Sequence, residues 1–138
     1  MSKELQSFYK FLSKEGGIKV KLDSENNMLL FGQTLKDYPS VLILIVVSCD
    51  DSRLEIVARI VKVNEINLGI LKEINRVNEN TGPVKFYIDE DNGYIHLKFL
   101  NITLMPRSIS NMEILTSVRG CLDTINDCYE QIMQAIWK

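Results

Sequence analysis

A single histidine, His96, stands among 138 residues, so neither a multi-histidine metal site nor a histidine proton relay can be built within one copy of the chain. Cysteine is also scarce: Cys49, Cys121 and Cys128 are an odd set without CxxC or any other paired metal-ligand spacing. Cys121 and Cys128 recur at helical spacing about two turns, or ~10 Å of rise, apart, too far for a disulfide within one helix. All three are expected to be reduced, small buried hydrophobes. The 7 glycines are scattered along the chain, whereas a P-loop or dinucleotide fingerprint clusters them at a strand-to-helix turn. Long apolar runs are absent as well. The longest, Val41 to Val47, falls far short of the roughly 20 residues of a membrane helix. The start of the chain, with Lys3 and Glu4 ahead of a mixed amphipathic stretch, shows no apolar core or small-residue cleavage site of a signal peptide. These absences lead us to expect a cytoplasmic protein, in which the sequon Asn101-Ile102-Thr103 is simply the end of a strand. Neither sign of charge dominates: 16 basic against 18 acidic residues give a net charge of −2. No overall positive field is available to gather nucleic acid or anionic lipid, and neither is expected as a partner.

What is present suits one ordinary globular domain over residues 1–138, with 46% apolar and 25% charged residues. Ser2 is placed to cap a first helix carrying Leu5, Phe8, Tyr9 and Leu12, with Gly16-Gly17 as its stop. From Ile18 to Cys49 the pattern turns extended: IKVKLD alternates, NMLLFGQTL follows an Asn26-Asn27 turn, and VLILIVVSC follows Pro39. The unbroken apolarity of Val41 to Val47 calls for a central strand, with helices on one face and another layer or a partner on the other. After a polar turn at Cys49-Asp50-Asp51-Ser52, Leu54 to Val63 alternates again. Ile56, Ala58 and Ile60 fall on one side, and Glu55, Val57, Arg59 and Val61 on the other. A helix is expected from about Asn67 to Thr81, ended by Gly82-Pro83. A hairpin follows, Val84, Phe86 and Ile88 returning as Ile95, Leu97 and Phe99 across the Asp89-Glu90-Asp91-Asn92-Gly93 turn. Ser110 and Glu113 form a capping box for a last helix. Its stripe of Leu115, Val118, Leu122, Ile125, Tyr129, Ile132 and Ile136, widened by Ile114, Cys121, Cys128 and Ala135, favours a helix laid on a sheet over a coiled coil. Gly120 in its middle suggests either a close backbone neighbour or a tolerated weak spot.

Chemistry-bearing constellations are thin. The acidic turn fails as an EF-hand loop, because Tyr94 stands where the glycine should be and Leu100 where the glutamate should be. Ser48, Cys49, Asp50, Asp51 and Ser52 make a turn, with no histidine nearby and no nucleophile elbow. His96 is expected at the surface or a strand edge, and Lys19 and Lys21 as solvated edge charges. No catalytic, cofactor-binding or metal-binding residue is assigned, and no cofactor is expected.

The elements run helix, three strands, helix, two strands, helix. Within them, EINRVNENTGPVKFYIDEDNGYIHLKFLNI and the final helix ending DTINDCYEQIMQAI resemble the YbjN-like proteins of bacteria. Asn75 and Asn78 match that family's Asn-x-x-Asn helix pair. Phe86-Tyr87-Ile88-Asp89, Asn92-Gly93 and Ile95 to Leu100 match its strand, turn and return strand, and Asp127 and Tyr129 its final helix. The resemblance covers about residues 67–137. It implies an α+β fold like that of type III secretion chaperones, a single antiparallel five-stranded sheet with helices packed mainly on one face. Proteins of that shape commonly dimerise and hold extended segments of other proteins, and YbjN-like proteins have been described as regulators of sensory transduction. Fold alone transfers neither activity.

The expectation is a non-enzymatic, chaperone-like or regulatory module that binds another protein or peptide segment and forms a homodimer. Its candidate interaction surface is the mixed sheet face at Val57, Arg59, Val61 and Val63, beside the doubly apolar strand. The alternative is a small ligand-binding protein or enzyme with a pocket between the sheet and the C-terminal helix, using Tyr87, Tyr129 or His96.

Overall fold

A computed structural model of the chain describes residues 1–15 and 18–137. Helix α1 (Lys3–Glu15) leads into four strands, β1 (Val20–Asp23), β2 (Met28–Thr34), β3 (Leu42–Cys49) and β4 (Arg53–Lys62). Helix α2 (Leu68–Asn78) is followed by β5 (Val84–Asp89), β6 (Tyr94–Ile102) and helix α3 (Asn111–Trp137). All neighbouring strands pair antiparallel in the order β1-β2-β3-β4-β6-β5. The α+β class and the one-sided helices agree with expectation, but the sheet has six strands where five were expected. The difference lies before α2, where all four segments with an extended pattern pair, although the expected element order counted three strands there. Strand β1 is short yet fully registered, Val20 opposite Phe31 through Asp23 opposite Met28. Its turn is closed locally, with Asn27 at φ 53 and the Asp23 carboxylate accepting from the Asn26 backbone and side chain.

Local chemistry sets the helix boundaries. Ser2 Oγ accepts from the Leu5 N–H at 3.3 Å, capping α1, while its expected Gly16-Gly17 stop lies outside the described residues. Asn67 caps α2 by accepting from the Ile70 N–H at 3.0 Å, and Gly82, at φ +62, turns the chain after it. The capping box forms: Glu113 N–H donates to Ser110 Oγ at 3.2 Å, and Ser110 N–H donates back to Glu113 Oε1. Arg107 adds a paired contact to the same carboxylate, which holds the Glu113 carboxyl below its ordinary range.

The core lies between one face of the sheet and the three helices. Leu5, Phe8 and Leu12 of α1 share one buried cluster with inward sheet residues such as Leu29, Ile45, Ile56 and Leu97. Helix α3 runs over β4 and β6 with α1 and α2 on either side. It buries Ile114, Val118, Cys121, Ile125 and Ile132, and partly buries Leu115, Leu122 and Tyr129. This wide stripe is the sheet-packing geometry; a two-residue seam is not what is buried. Each fully buried Ile or Leu is worth about 1.5–3 kcal/mol relative to exposure. Gly120 faces open space, with nothing within 4 Å of a Cβ placed there, so no close backbone neighbour explains it.

Candidate protein-binding surface

Because the helices cover one side only, alternation sends every second strand residue to an open face. Direct cross-strand pairing places Lys21, Leu30, Val46, Val57, Lys98 and Lys85 in one row across all six strands. The neighbouring row runs Gly32, Leu44, Arg59, His96, Tyr87. Leu30, Leu44, Val46 and Val57 are half-buried by one another and by flanking stems, and Leu42 at the end of β3 is 68% exposed. This is the second apolar side that the Val41 to Val47 run demanded, and no element among the described residues covers it.

Of the four residues expected to form the interaction surface, Val57 and Arg59 lie on this open face. The other two do not. Between Arg59 and Val61 the β4–β6 ladder shifts by one residue, so that Arg59 pairs with His96 but Val61 pairs with Ile95. An extra residue in one strand reverses the alternation after it. Val61 therefore shares the side of fully buried Ile95 and packs on the core. Val63, beyond the strand, is 5% exposed, and its N–H donates to the Gly93 carbonyl at 2.7 Å. Gly93 sits at φ +75, and a Cβ there would stand 2.9 Å from the Val63 oxygen. The bulge is thus locked to the β5–β6 turn, and Lys62, opposite Tyr94, takes the outward position.

Sequence reasoning put His96 at the surface, yet it is 6% exposed. Its ring stacks on Tyr87 at 5.3 Å between centroids and lies 6.2 Å from Tyr94, over which the Arg59 guanidinium sits at 4.3 Å. Outward direction on a strand does not guarantee water when two tyrosines and an arginine close over the position. Nδ1 of His96 has no hydrogen-bond partner. Burial, and next the Arg59 charge, push the imidazole below its ordinary pKa, with Asp89 opposing. The same burial raises the Tyr87 phenol.

The two edges of the sheet differ. Along β5, Asn78 at the end of α2 accepts from the Phe86 N–H at 2.8 Å and donates to the Phe86 carbonyl at 3.0 Å. One side-chain amide so imitates the next strand, and Thr81 Oγ1 donates to the Val84 carbonyl beside it. Along β1, no described residue other than those of β2 bonds the Val20–Asp23 backbone. Beside that bare edge a cavity of about 320 Å³ opens between α1, β2 and α3, lined by Phe11, Ile18, Phe31, Val118 and Leu122 with Gln33 and Arg119. The family resemblance marked Asn78; its plugging role needed the tertiary structure.

The pocket alternative finds no assembled site. Tyr87 and His96 lie on the open face, while Tyr129 is on the helix side, packed on Tyr38 at 4.6 Å. A larger groove of about 710 Å³ between α2 and α3 is lined mostly by polar side chains, including the Glu73–Arg76 pair, Asp127 and Gln131, and contains none of the three. Burial pushes the Cys49 and Cys121 thiols up to about 12, away from nucleophilic chemistry. At the Cys49–Ser52 turn, Asp50 Oδ1 accepts from both the N–H and the hydroxyl of Ser52, a turn device. Among the described residues there is no cluster of metal-ligating side chains and no helix long and apolar enough to cross a membrane.

No family model matches the chain, and no curated protein matches it significantly. Solved structures do. A chain of the ExsC–ExsE complex is 17% identical over 94% of this chain and 96% of that one, with a TM-score of 0.61. A chain of the HopA1–SchA chaperone–effector complex is 18% identical over 92% and 91%, at 0.55. The fold is chaperone-like. At this level of identity the likeness is one of architecture: the sheet and its one-sided helices are shared, and the likeness by itself assigns neither a family nor individual site residues.

Proposed function

We propose that this chain is a non-enzymatic, chaperone-like module of the cytoplasm that holds a segment of another protein and works as a homodimer. The observation that carries this is the uncovered face of a six-stranded sheet, where Leu30, Leu44, Val46 and Val57 form a contiguous apolar centre across three adjacent strands. A contiguous exposed apolar patch on a soluble domain is a mark of an interaction surface. The bare β1 edge, beside an apolar cavity, supports the same reading, since an extended segment can pair with such an edge and seat alternate side chains next to it. The shared architecture with a chain of a chaperone–effector complex is consistent with it.

Binding is tested on an array of extended peptides of varied composition. Specific binders are expected, with their affinity lost in Val57→Glu while circular dichroism and the melting temperature stay close to wild type. An array with no binder at all overturns the reading. The homodimer is tested separately by light scattering across a concentration series: a mass of twice the chain supports it, and a strict monomer at high concentration overturns it.

A further inference from the structure

The open face is charged differently from the rest of the molecule. Among the described strand residues six cations project from it, Lys21, Arg53, Arg59, Lys62, Lys85 and Lys98, against three anions, Asp23, Glu55 and Asp89, in a chain with 16 cations and 18 anions. The remaining surface is correspondingly acidic in a chain of net charge −2. The anions of the face are also already engaged. Glu55 is bridged by Arg53 and by Lys98 Nζ at 3.7 Å, Asp23 accepts from Asn26, and Asp89 accepts from the Asp91 N–H. Lys21, Arg59 and Lys62 have no ion-pair partner among the described residues. The arrangement is ordered as well as unbalanced. In the central row Lys21 and Lys98 flank Leu30, Val46 and Val57, so an apolar strip about three strands wide ends in a cation on each side.

We propose that this face docks an extended protein segment with apolar residues between carboxylates, a deepening of the binding-module reading on which it rests. Lys21 and Lys98 are four strand spacings apart, about 19 Å, which about six extended residues span at ~3.3 Å each. A segment with acidic residues at roughly that separation meets both lysines while its apolar middle covers Leu30, Val46 and Val57. Complementary charge at the rim selects such a partner and steers its approach. A second copy laid face to face is disfavoured, because the unpaired cations of one copy would meet those of the other, so the proposed homodimer forms through another surface.

The test uses the full chain and fluorescently labelled peptides of about ten residues, identical in their apolar centre and flanked six apart either by glutamates or by lysines. Anisotropy titrations are expected to show the glutamate peptide binding at least about tenfold more tightly, weakening as salt is raised from low to several hundred millimolar. The double variant Arg59→Glu/Lys98→Glu, checked for a native circular dichroism spectrum, is expected to reverse the preference. It is also expected to leave the mass measured by light scattering unchanged. Equal affinity for the two peptides, a lysine preference, or a change in oligomeric mass in the double variant would each overturn the acidic-segment assignment. If such charge-blind binding is still lost in Val57→Glu, the binding-module reading stands without it. If neither these peptides nor the wider array binds, both fall.

Discussion

Ile56 and Val57 are adjacent, both β-branched and both apolar, yet Ile56 is wholly buried beneath the helices whereas Val57 looks out from the uncovered side of the same strand. The first is held by core packing; the second has only its neighbours on the sheet surface. Strand alternation makes the two positions look alike in composition, and only the layer above distinguishes a residue kept for stability from one left available for contact. The edges repeat the contrast: β5 is plugged by Asn78, and β1 carries no such plug among the described residues.

The sharpest way to break the comparison is to truncate each side. Ile56→Ala is expected to lower unfolding stability by about 2–4 kcal/mol, and Val57→Ala by less than about 1 kcal/mol, read from urea denaturation midpoints. Equal losses would mean that something covers the open face in solution. Next in size, Asn78→Ala is expected to cost about 1–2 kcal/mol by stranding the Phe86 N–H and C=O. It should also unplug an edge, so light scattering at rising concentration should show association that the parent lacks. If stability falls without association, the amide matters for stability alone. Smaller and opposite in sign, Gly120→Ala is expected to raise stability by about 0.5–1 kcal/mol, since its site is open and helical; a loss would reveal a neighbour on that face of α3.

The smallest signal concerns His96 and is read as a slope. Its pKa in the folded state lies below the ordinary 6.5, so on acidification the unfolded chain takes up the proton first. Stability therefore falls as pH drops below that ordinary value, and levels off only once the folded imidazole is protonated too. His96→Phe keeps a ring between Tyr87 and Tyr94 and removes both the titration and the unpartnered Nδ1. Melting temperatures measured from pH 7.5 to 5 should then lose this component of the slope. An unchanged slope would assign the acid sensitivity elsewhere.

Much of the fold was legible in short-range chemistry. The capping box at Ser110 and Glu113, the Asn92-Gly93 turn and the stripe of α3 are each decided within a few residues, and each formed where the spacing placed it; α2 ends at Asn78, short of the expected Thr81. The candidate surface was half legible. Val57 and Arg59 followed from alternation, but Val61 and Val63 did not, because a bulge against β6 reverses alternation and leaves no mark in the strand's own sequence. His96 was misjudged for a related reason. The residues that bury it, Tyr87 on β5 and Arg59 on β4, are brought beside it only by pairing with β6.

By itself, then, the sequence determined element types, most of their ends, the poverty of catalytic and metal-ligating groups, and a strand too apolar on both sides to stand in water alone. Those properties depend on backbone preference and composition, which act locally. The tertiary structure alone decided that six strands join, which side the helices take, where the bulge falls and which edge is plugged. It also lined up Lys21, Leu30, Val46, Val57 and Lys98 across five strands. A row across a sheet is built from residues far apart in the chain, and only the register of hydrogen-bonded pairing brings them into line.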